Sequence, residues 1–112
     1  MATRTAKNLS IGQLASTTLT TIYTAPSNTN TTMSVLGFTN TSTSVTLVLD
    51  IYRNDGSTDY LVRTITIPPG SGREVLYYGL QKRVFNAGHS VKIQADSATA
   101  FNYDLNGSEL AL

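Results

Sequence analysis

The 112-residue chain contains neither cysteine nor tryptophan. Without cysteine it can form neither a disulfide framework nor a thiolate zinc site, so its fold must depend on a hydrophobic core or on partner subunits. Charged residues make up only 13% of the chain, which is about half their usual share. The formal net charge of +1 gives a weak overall field, so neither nucleic acid nor an anionic membrane is an expected partner.

The sequence also lacks the parts of an enzyme. Its one histidine, His89, follows a glycine in a turn-like stretch, where an exposed imidazole with no catalytic role is expected. There is no Gly-x-Ser-x-Gly motif, and the Gly70–Gly72 stretch is not followed by the lysine and helix of a phosphate-binding loop. Three aspartates, Asp50, Asp55 and Asp59, match no calcium-loop spacing. We therefore predict a non-enzymatic protein without a metal or cofactor.

Long apolar runs are absent, so no transmembrane segment is predicted. The first ten residues are polar, with Arg4 and Lys7, and contain no apolar stretch of the kind found in signal peptides. We expect synthesis in the cytoplasm of the cell that makes the protein, a flexible N-terminal arm over residues 1–7, and a single domain over residues 8–112.

What the chain has in abundance is Ser and Thr, roughly a quarter of all residues, and Thr favours strands because its β-branch suits a pleated surface. The clearest element is a hairpin between Val45 and Ile67. Two runs of alternating apolar and polar residues flank Asn54-Asp55-Gly56, a sequence that suits the positive φ angles of a tight reversal. The hairpin ends at Pro68-Pro69-Gly70.

Shorter runs with the same period of two occur along the rest of the chain, separated by turn residues, and no apolar pattern has helical spacing. A run with apolar residues on both parities, Thr32–Thr39, predicts a strand buried between two layers or bulged at Gly37. The pattern predicts an all-β protein, a single antiparallel β-sandwich of seven to nine strands that is either jelly-roll or immunoglobulin-like. The predicted core consists of Val45, Leu47, Leu49, Ile51, Ile65, Ile67, Val91, Ile93, Phe101, Tyr103 and Leu105.

Tyrosines are candidates for an interface because they combine contact area with a polar group. Tyr77 and Tyr78 are adjacent, so they should point to opposite faces of a strand, with one of them outside. Each tyrosine could equally cap the core with its hydroxyl in water. Together with the two cations of the predicted arm, the candidate interface residues are Arg4, Lys7, Tyr23, Tyr52, Tyr60, Tyr77 and Tyr78.

Several short stretches resemble a family of small virion proteins of tailed bacteriophages. They include Tyr23-Thr24-Ala25-Pro26, Asn40-Thr41-Ser42, Ala87-Gly88-His89 and Gly107-Ser108-Glu109. The family commonly has Asp where this chain has His89, and Leu where it has Phe85. The resemblance spans nearly the whole chain and implies a β-sandwich component of the virion, without chemistry of its own.

Within this class, the low charge, the Thr-rich surface and the compact β body favour a capsid decoration (cement) protein, because interfaces depend on packed anchors more than on net charge. Such a protein would form a homo-oligomer, for example a trimer, bound to other virion proteins such as the major capsid protein. Two alternatives remain open at this point: a tail, neck or baseplate accessory protein, and a receptor- or glycan-binding module with its site in the loops at one end of the sandwich.

Overall fold

The computed structural model describes residues 4–70 and 74–112, and within these residues all regular structure is β-strand. The nine strands are β1 (Arg4–Leu14), β2 (Thr20–Thr24), β3 (Thr29–Asn40), β4 (Leu47–Asn54), β5 (Asp59–Ile67), β6 (Glu74–Tyr77), β7 (Val84–Phe85), β8 (Ser90–Ala95) and β9 (Phe101–Ala111).

The strands form two antiparallel sheets that pack as a sandwich. The larger sheet has the order β1-β9-β3-β6, with the short β7 also paired to β3, and the smaller sheet has the order β2-β8-β4-β5. The chain thus crosses between sheets repeatedly, and its first strand pairs with its last. Apart from β7, this is the eight-stranded order of a jelly roll. The all-β sandwich prediction is confirmed, and the strand order excludes the immunoglobulin alternative.

The predicted central hairpin is present as β4 and β5, paired from Leu47 with Ile67 to Asn54 with Asp59. Its turn is organised by Asp55, whose carboxylate accepts hydrogen bonds from the backbone N–H groups of Thr58 (2.9 Å) and Ser57 (3.1 Å). These bonds stabilise the ionised carboxylate and lower the pKa of Asp55 to about 2. Gly56 adopts φ 103°, a backbone conformation that suits glycine.

The predicted bulge in β3 exists, but it lies at Ser34 and not at Gly37. The pairing of β3 with β9 shifts register between Met33 and Val35. Before the shift Met33 faces the interior, and after it Leu36 and Phe38 do. The bulge therefore moves the buried positions from odd to even numbers, which explains why apolar residues occupy both parities.

The core agrees with the sequence prediction at eight of its eleven positions, which are buried: Leu47, Leu49, Ile51, Ile67, Val91, Ile93, Phe101 and Leu105. Ile65 and Tyr103 are half-buried and pack against this cluster. Val45 was wrongly assigned, since it precedes β4 and is 38% exposed. Core residues that the sequence prediction missed come mainly from β2, β3 and β7: Ile22, Tyr23, Ala25, Met33, Leu36, Phe38, Leu80, Phe85 and Ala95.

The N-terminal segment differs from the predicted flexible arm. Arg4–Lys7 form the first part of β1 and pair with Leu110–Gly107 of β9, while residues 1–3 lie outside the described residues. The physical reason is that β9 extends to Ala111 and offers a free edge beyond its central part, so even polar residues gain backbone hydrogen bonds there.

Candidate interaction surface

Exposed apolar side chains concentrate on one side of the sandwich. Eight large apolar residues are exposed among those described, and five of them lie on β5, on β7, or on β6 and the residue after it: Tyr60, Leu61, Leu76, Tyr78 and Val84. We call these five residues, with the strands that hold them, the β5–β6–β7 side surface. Each is 45–56% exposed. Scattered single apolar residues are normal on any protein, so it is this concentration that makes the side surface a candidate for contact with a partner.

Arg53 joins the two sheets at this surface. It extends from β4, where it pairs with Tyr60, and its guanidinium lies 4.3 Å from the centre of the Phe85 ring and donates a hydrogen bond to the carbonyl of Val84. Burial, together with the nearby charge of Arg83, lowers the pKa of Arg53 from its ordinary value. The cation–π contact and the hydrogen bond compensate for part of this desolvation. These contacts connect β4 of the smaller sheet to β7 of the larger sheet.

Both sheets end in open edges at this surface. β5 pairs only with β4, and β6 pairs only with β3 among the described strands. Unpaired strand edges present a row of backbone N–H and C=O groups that can bind another chain. β5 carries a bulge between its pairings with Ile51 and Tyr52, which interrupts that edge, and the described part of β6 has only four residues. Side-chain contacts must therefore supply much of any interface here.

Of the predicted interface residues, only Tyr60 and Tyr78 belong to this surface. Tyr60 is 52% exposed and donates a hydrogen bond to Asp55 (3.2 Å), and Tyr78 is 53% exposed. Its neighbour Tyr77 packs against the core, which confirms that the pair points to opposite faces. Tyr52 is half-buried and lies on the smaller sheet between Lys92 and Leu61.

Tyr23 and the two cations take part in contacts within the chain. Tyr23 is 9% exposed, so its assignment to an exposed interface is corrected. The Arg4 guanidinium donates hydrogen bonds to the hydroxyls of Thr32 (2.8 Å) and Ser108 (3.1 Å). Lys7 forms a salt bridge with Glu109, with Nζ 2.9 Å from Oε1. The contacts of Arg4 and Lys7 connect β1 to β9 and β3, and both side chains remain exposed.

A polar cluster at one end of the sandwich connects Tyr23 and Lys7 through Glu109. The Tyr23 hydroxyl donates to Oε2 of Glu109 (2.6 Å), and the buried Thr31 hydroxyl lies 2.7 Å from it. Burial, followed by the bond to Glu109, raises the pKa of Tyr23 to about 12. The same bond and that from Lys7 lower the pKa of Glu109. The cluster joins β2 of one sheet to β3 and β9 of the other through satisfied hydrogen bonds.

We predict that Tyr23→Phe destabilises the protein by about 1–3 kcal/mol, since it removes a hydrogen bond to a charged group and leaves the buried Thr31 hydroxyl short of a partner. Urea denaturation would measure the loss. Tyr78→Phe is the control, because its hydroxyl belongs to an exposed side chain and its removal should change the free energy of unfolding by less than about 0.5 kcal/mol. Equal losses for the two variants would contradict the structural role of the cluster.

The cluster also predicts an acid-dependent loss of stability. The pKa of Glu109 is lower in the folded chain than its ordinary value of 4.5, so folding is favoured by its ionisation at neutral pH, and that contribution disappears as the pH falls below 4.5. The carboxylate of Asp55 contributes in the same direction, because its pKa falls from 3.8 to about 2 on folding and its stabilising effect is lost as the pH falls through that range. The free energy of unfolding would be measured by denaturation at pH 7 and at pH 3. It should fall less between these two pH values for Glu109→Gln than for the unaltered chain. If the fall between pH 7 and pH 3 were the same for both chains, ionised Glu109 would not have the stabilising role assigned to it.

A shallow groove of about 360 Å³ lies on the larger sheet, away from the polar cluster. The residues along it are mostly polar: Ile11, Gly12, Gly37, Thr39, Glu74, Asn102, Tyr103 and Asp104. The Glu74 carboxylate approaches the backbone at Gly37 so closely that a Cβ there would lie 2.7 Å from it. The groove thus begins beside the β6 edge of the side surface.

The remaining candidates have structural partners. Asp50 accepts a hydrogen bond from Thr64 (2.6 Å), and Asp59 binds Lys92 (3.0 Å). His89 closes the predicted turn, but its ring is half-buried and not exposed as expected.

Across residues 4–70 and 74–112, no three His, Asp or Glu side chains converge as metal ligands. None of the described residues forms a helix able to cross a membrane.

Leu61, Leu76 and Val84 were missed as surface residues by the sequence prediction. A signal was available for Leu76: in a strand from residue 73 to 78, the alternation that turns Val75 and Tyr77 inward turns Leu76 and Tyr78 outward. No such signal exists for Val84, because β7 has only two residues.

Comparison with known proteins gives a likeness of fold. No family model and no curated protein matches the chain. Among solved structures, it is similar to a chain of the T13 viral particle of infectious bursal disease virus, with a TM-score of 0.55 and 9% identity over 99% of this chain. A chain from the Gx strain of that virus gives a TM-score of 0.50 and 11% identity over 99% of this chain. The chain spans about a third of the length of these structures, 31% and 33% respectively.

Proposed function

We propose that this protein is a non-enzymatic structural component of a virus particle, acting through protein–protein contact at the β5–β6–β7 side surface. The observation that carries the proposal is the grouping of five exposed apolar side chains beside two open strand edges. Interfaces depend on apolar and aromatic anchors of this kind more than on net charge. A net charge of +1 also leaves little electrostatic repulsion between copies.

The fold supports this class of function. Jelly rolls are frequent in viral capsid proteins, although the fold alone does not determine function. The two similar chains belong to structures of infectious bursal disease virus, one of them described with reference to icosahedral viruses. These chains resemble the present one in backbone shape. The proposed virion role is supported by that shape together with the side surface.

Within this class, we propose a capsid decoration protein of a tailed phage, bound as a homo-oligomer to the major capsid protein. The assignment to a tailed phage rests on the sequence resemblance at Tyr23–Pro26, Asn40–Ser42 and Gly107–Glu109. The decoration role rests on the low charge and the abundance of Thr, which suit a protein that works through contact area. The resembling stretches now have structural roles: Tyr23 and Glu109 hydrogen-bond to each other, and the Asn40 amide bonds to the carbonyls of Val45 (2.8 Å) and Ile67 (3.1 Å). The resembling positions therefore stabilise the sandwich, and attachment depends on other residues.

A second candidate is glycan binding in the groove on the larger sheet. Jelly rolls also occur in lectins, and Asn102, Asp104 and Thr39 line this groove with groups that can hydrogen-bond to sugar hydroxyls. A glycan array with the purified chain would test it. Binding should be lost in Asn102→Ala if this groove is the site.

The virion assignment is tested by particle association. Purified protein would be added to particles stripped of it, followed by density-gradient sedimentation and electron microscopy of the labelled chain. Saturable binding to the head lattice would support the decoration role, and binding at the tail or neck would assign it there instead. Failure to sediment with any particle would contradict a virion function.

A further inference from the structure

Basic side chains collect beside β7, where the two sheets meet. The guanidinium of Arg53 reaches across from the smaller sheet to the carbonyl of Val84 and the ring of Phe85. Lys82 and Arg83 directly precede Val84 and are exposed. Burial, followed by the like charge of Arg83, lowers the pKa of Arg53, so these two guanidiniums lie close enough to repel each other. We call Arg53, Lys82 and Arg83 the basic cluster.

The basic cluster forms no salt bridge with any carboxylate of residues 4–70 and 74–112. Asp55, which is close to Arg53 in the sequence, instead accepts hydrogen bonds within its own turn and from Tyr60. Glu74 pairs with Thr39 near the end of β3, whereas Val84 pairs near the beginning of that strand. The salt bridges in this part of the chain use other cations: Lys7 with Glu109, and Lys92 with Asp59.

The backbone at Lys82 also sets this residue apart. It adopts φ 64°, a left-handed conformation that asparagine and glycine take more readily than lysine. The conformation is held by the backbone, since the Lys82 N–H donates to the carbonyl of Met33 (3.0 Å). The turn therefore does not require a lysine side chain, and an unfavourable residue at such a position points to a role for that residue.

The neighbours of the basic cluster indicate the class of partner. Tyr60, which pairs with Arg53 across the β4–β5 hairpin, is 52% exposed, and Val84 is 45% exposed. Cations interspersed with aromatic and apolar side chains suit a protein surface, where arginine and tyrosine are common anchors. A nucleic acid would require a longer basic tract and a stronger field than a net charge of +1 provides.

We propose that the basic cluster binds carboxylates of an acidic segment on a partner protein of the particle, while Tyr60 and Val84 pack against that segment. Arginine recognises a carboxylate through paired, charge-assisted hydrogen bonds. Binding of an anion would also relieve the repulsion between Arg53 and Arg83. The inference rests on the proposed function and deepens it, because the cluster adjoins the side surface described there and defines the chemistry of its partner.

Fluorescence anisotropy with a labelled peptide of glutamates, and with a glutamine peptide of equal length, tests the proposal on the full chain. The glutamate peptide should bind at low ionic strength and be released by added salt, whereas the glutamine peptide should not bind. Arg83→Gln should weaken binding about tenfold. Lys82→Asn should weaken binding at least about threefold while leaving the melting temperature unchanged or higher, because asparagine suits the left-handed backbone.

Arg4→Gln is the matched control, since it removes the same charge at an exposed position on β1 and should leave peptide binding unchanged. Failure of the unaltered chain to bind the glutamate peptide, equal losses for Arg4→Gln and Arg83→Gln, or tighter binding of a single-stranded oligonucleotide of equal length would each overturn the proposal. Equal binding of Arg83→Gln and the unaltered chain to stripped particles would also overturn it, while leaving the virion role standing. Peptide binding by a chain that never binds particles would contradict the virion role alone.

Discussion

Leu49→Asp is expected to prevent the chain from folding. Leu49 is fully buried in the middle of β4, and it pairs with Ile65 on one side and Ala95 on the other. None of these neighbours offers a side-chain partner for a carboxylate. Burial of an unpaired ionisable group costs several kcal/mol against a total stability of about 5–15 kcal/mol for a domain of this size. Circular dichroism of the purified variant should show loss of the β signal.

Two further variants serve as comparisons for Leu49→Asp. Thr46→Asp lies just before β4 at an exposed position, so its effect should stay within about 0.5 kcal/mol. Leu49→Ala should fold but lose about 2–5 kcal/mol through the cavity that it leaves. Comparable losses for Thr46→Asp and Leu49→Asp in chemical denaturation would contradict the burial of Leu49 and the exposure of Thr46.

The second large effect is expected at Gly107→Ala. Gly107 lies inside β9 across from Met33 of β3, and a Cβ there would be 2.4 Å from the backbone oxygen of Thr32. In most strands the exchange of glycine for alanine is favourable because it reduces the entropy of the unfolded chain. Here β3 and β9 would have to separate, so we expect a loss of about 1–3 kcal/mol or more. Thermal denaturation would measure it.

Gly12→Ala is the matched control for this effect. It also lies in the larger sheet, but its Cβ would meet the hydroxyl of Tyr103 at 2.8 Å, which is the far end of a side chain. The Tyr103 ring can move, whereas the Thr32 carbonyl belongs to a paired strand. Gly12→Ala should therefore cost less than Gly107→Ala. The reverse order would contradict the close approach of β3 and β9.

The sequence predicts the fold class because the period of two is local and strong. The β4–β5 hairpin follows from alternation together with Asn54-Asp55-Gly56, and Pro68 marks its end one residue after Ile67. Strand order, in contrast to fold class, does not follow from local patterns. The pairing of β1 with β9 joins residues about a hundred positions apart, and no local feature of the sequence specifies that pairing. The jelly-roll and immunoglobulin alternatives could therefore be separated only by the structure.

The candidate surface was harder to predict than the core. Tyr23 has the sequence character of an exposed interface residue, but Glu109 and Thr31 provide buried partners for its hydroxyl from distant strands. Arg4 and Lys7 have the character of a flexible arm, yet the extension of β9 gives them a strand to pair with. In each case a long-range contact changed the role of the residue. The side surface itself is formed by three consecutive strands, of which β5 belongs to the smaller sheet and β6 and β7 to the larger one.

The most direct test of the central claim is a reconstruction of the particle with this chain bound. We expect density for the jelly roll on the particle, with the β5–β6–β7 side surface buried in contacts and the polar end at Lys7 and Glu109 free of them. A well-resolved particle in which the chain is bound with Tyr60, Leu76 and Val84 all facing solvent would contradict the assignment of the contact surface. Purified particles that never bind the chain would contradict the virion role itself.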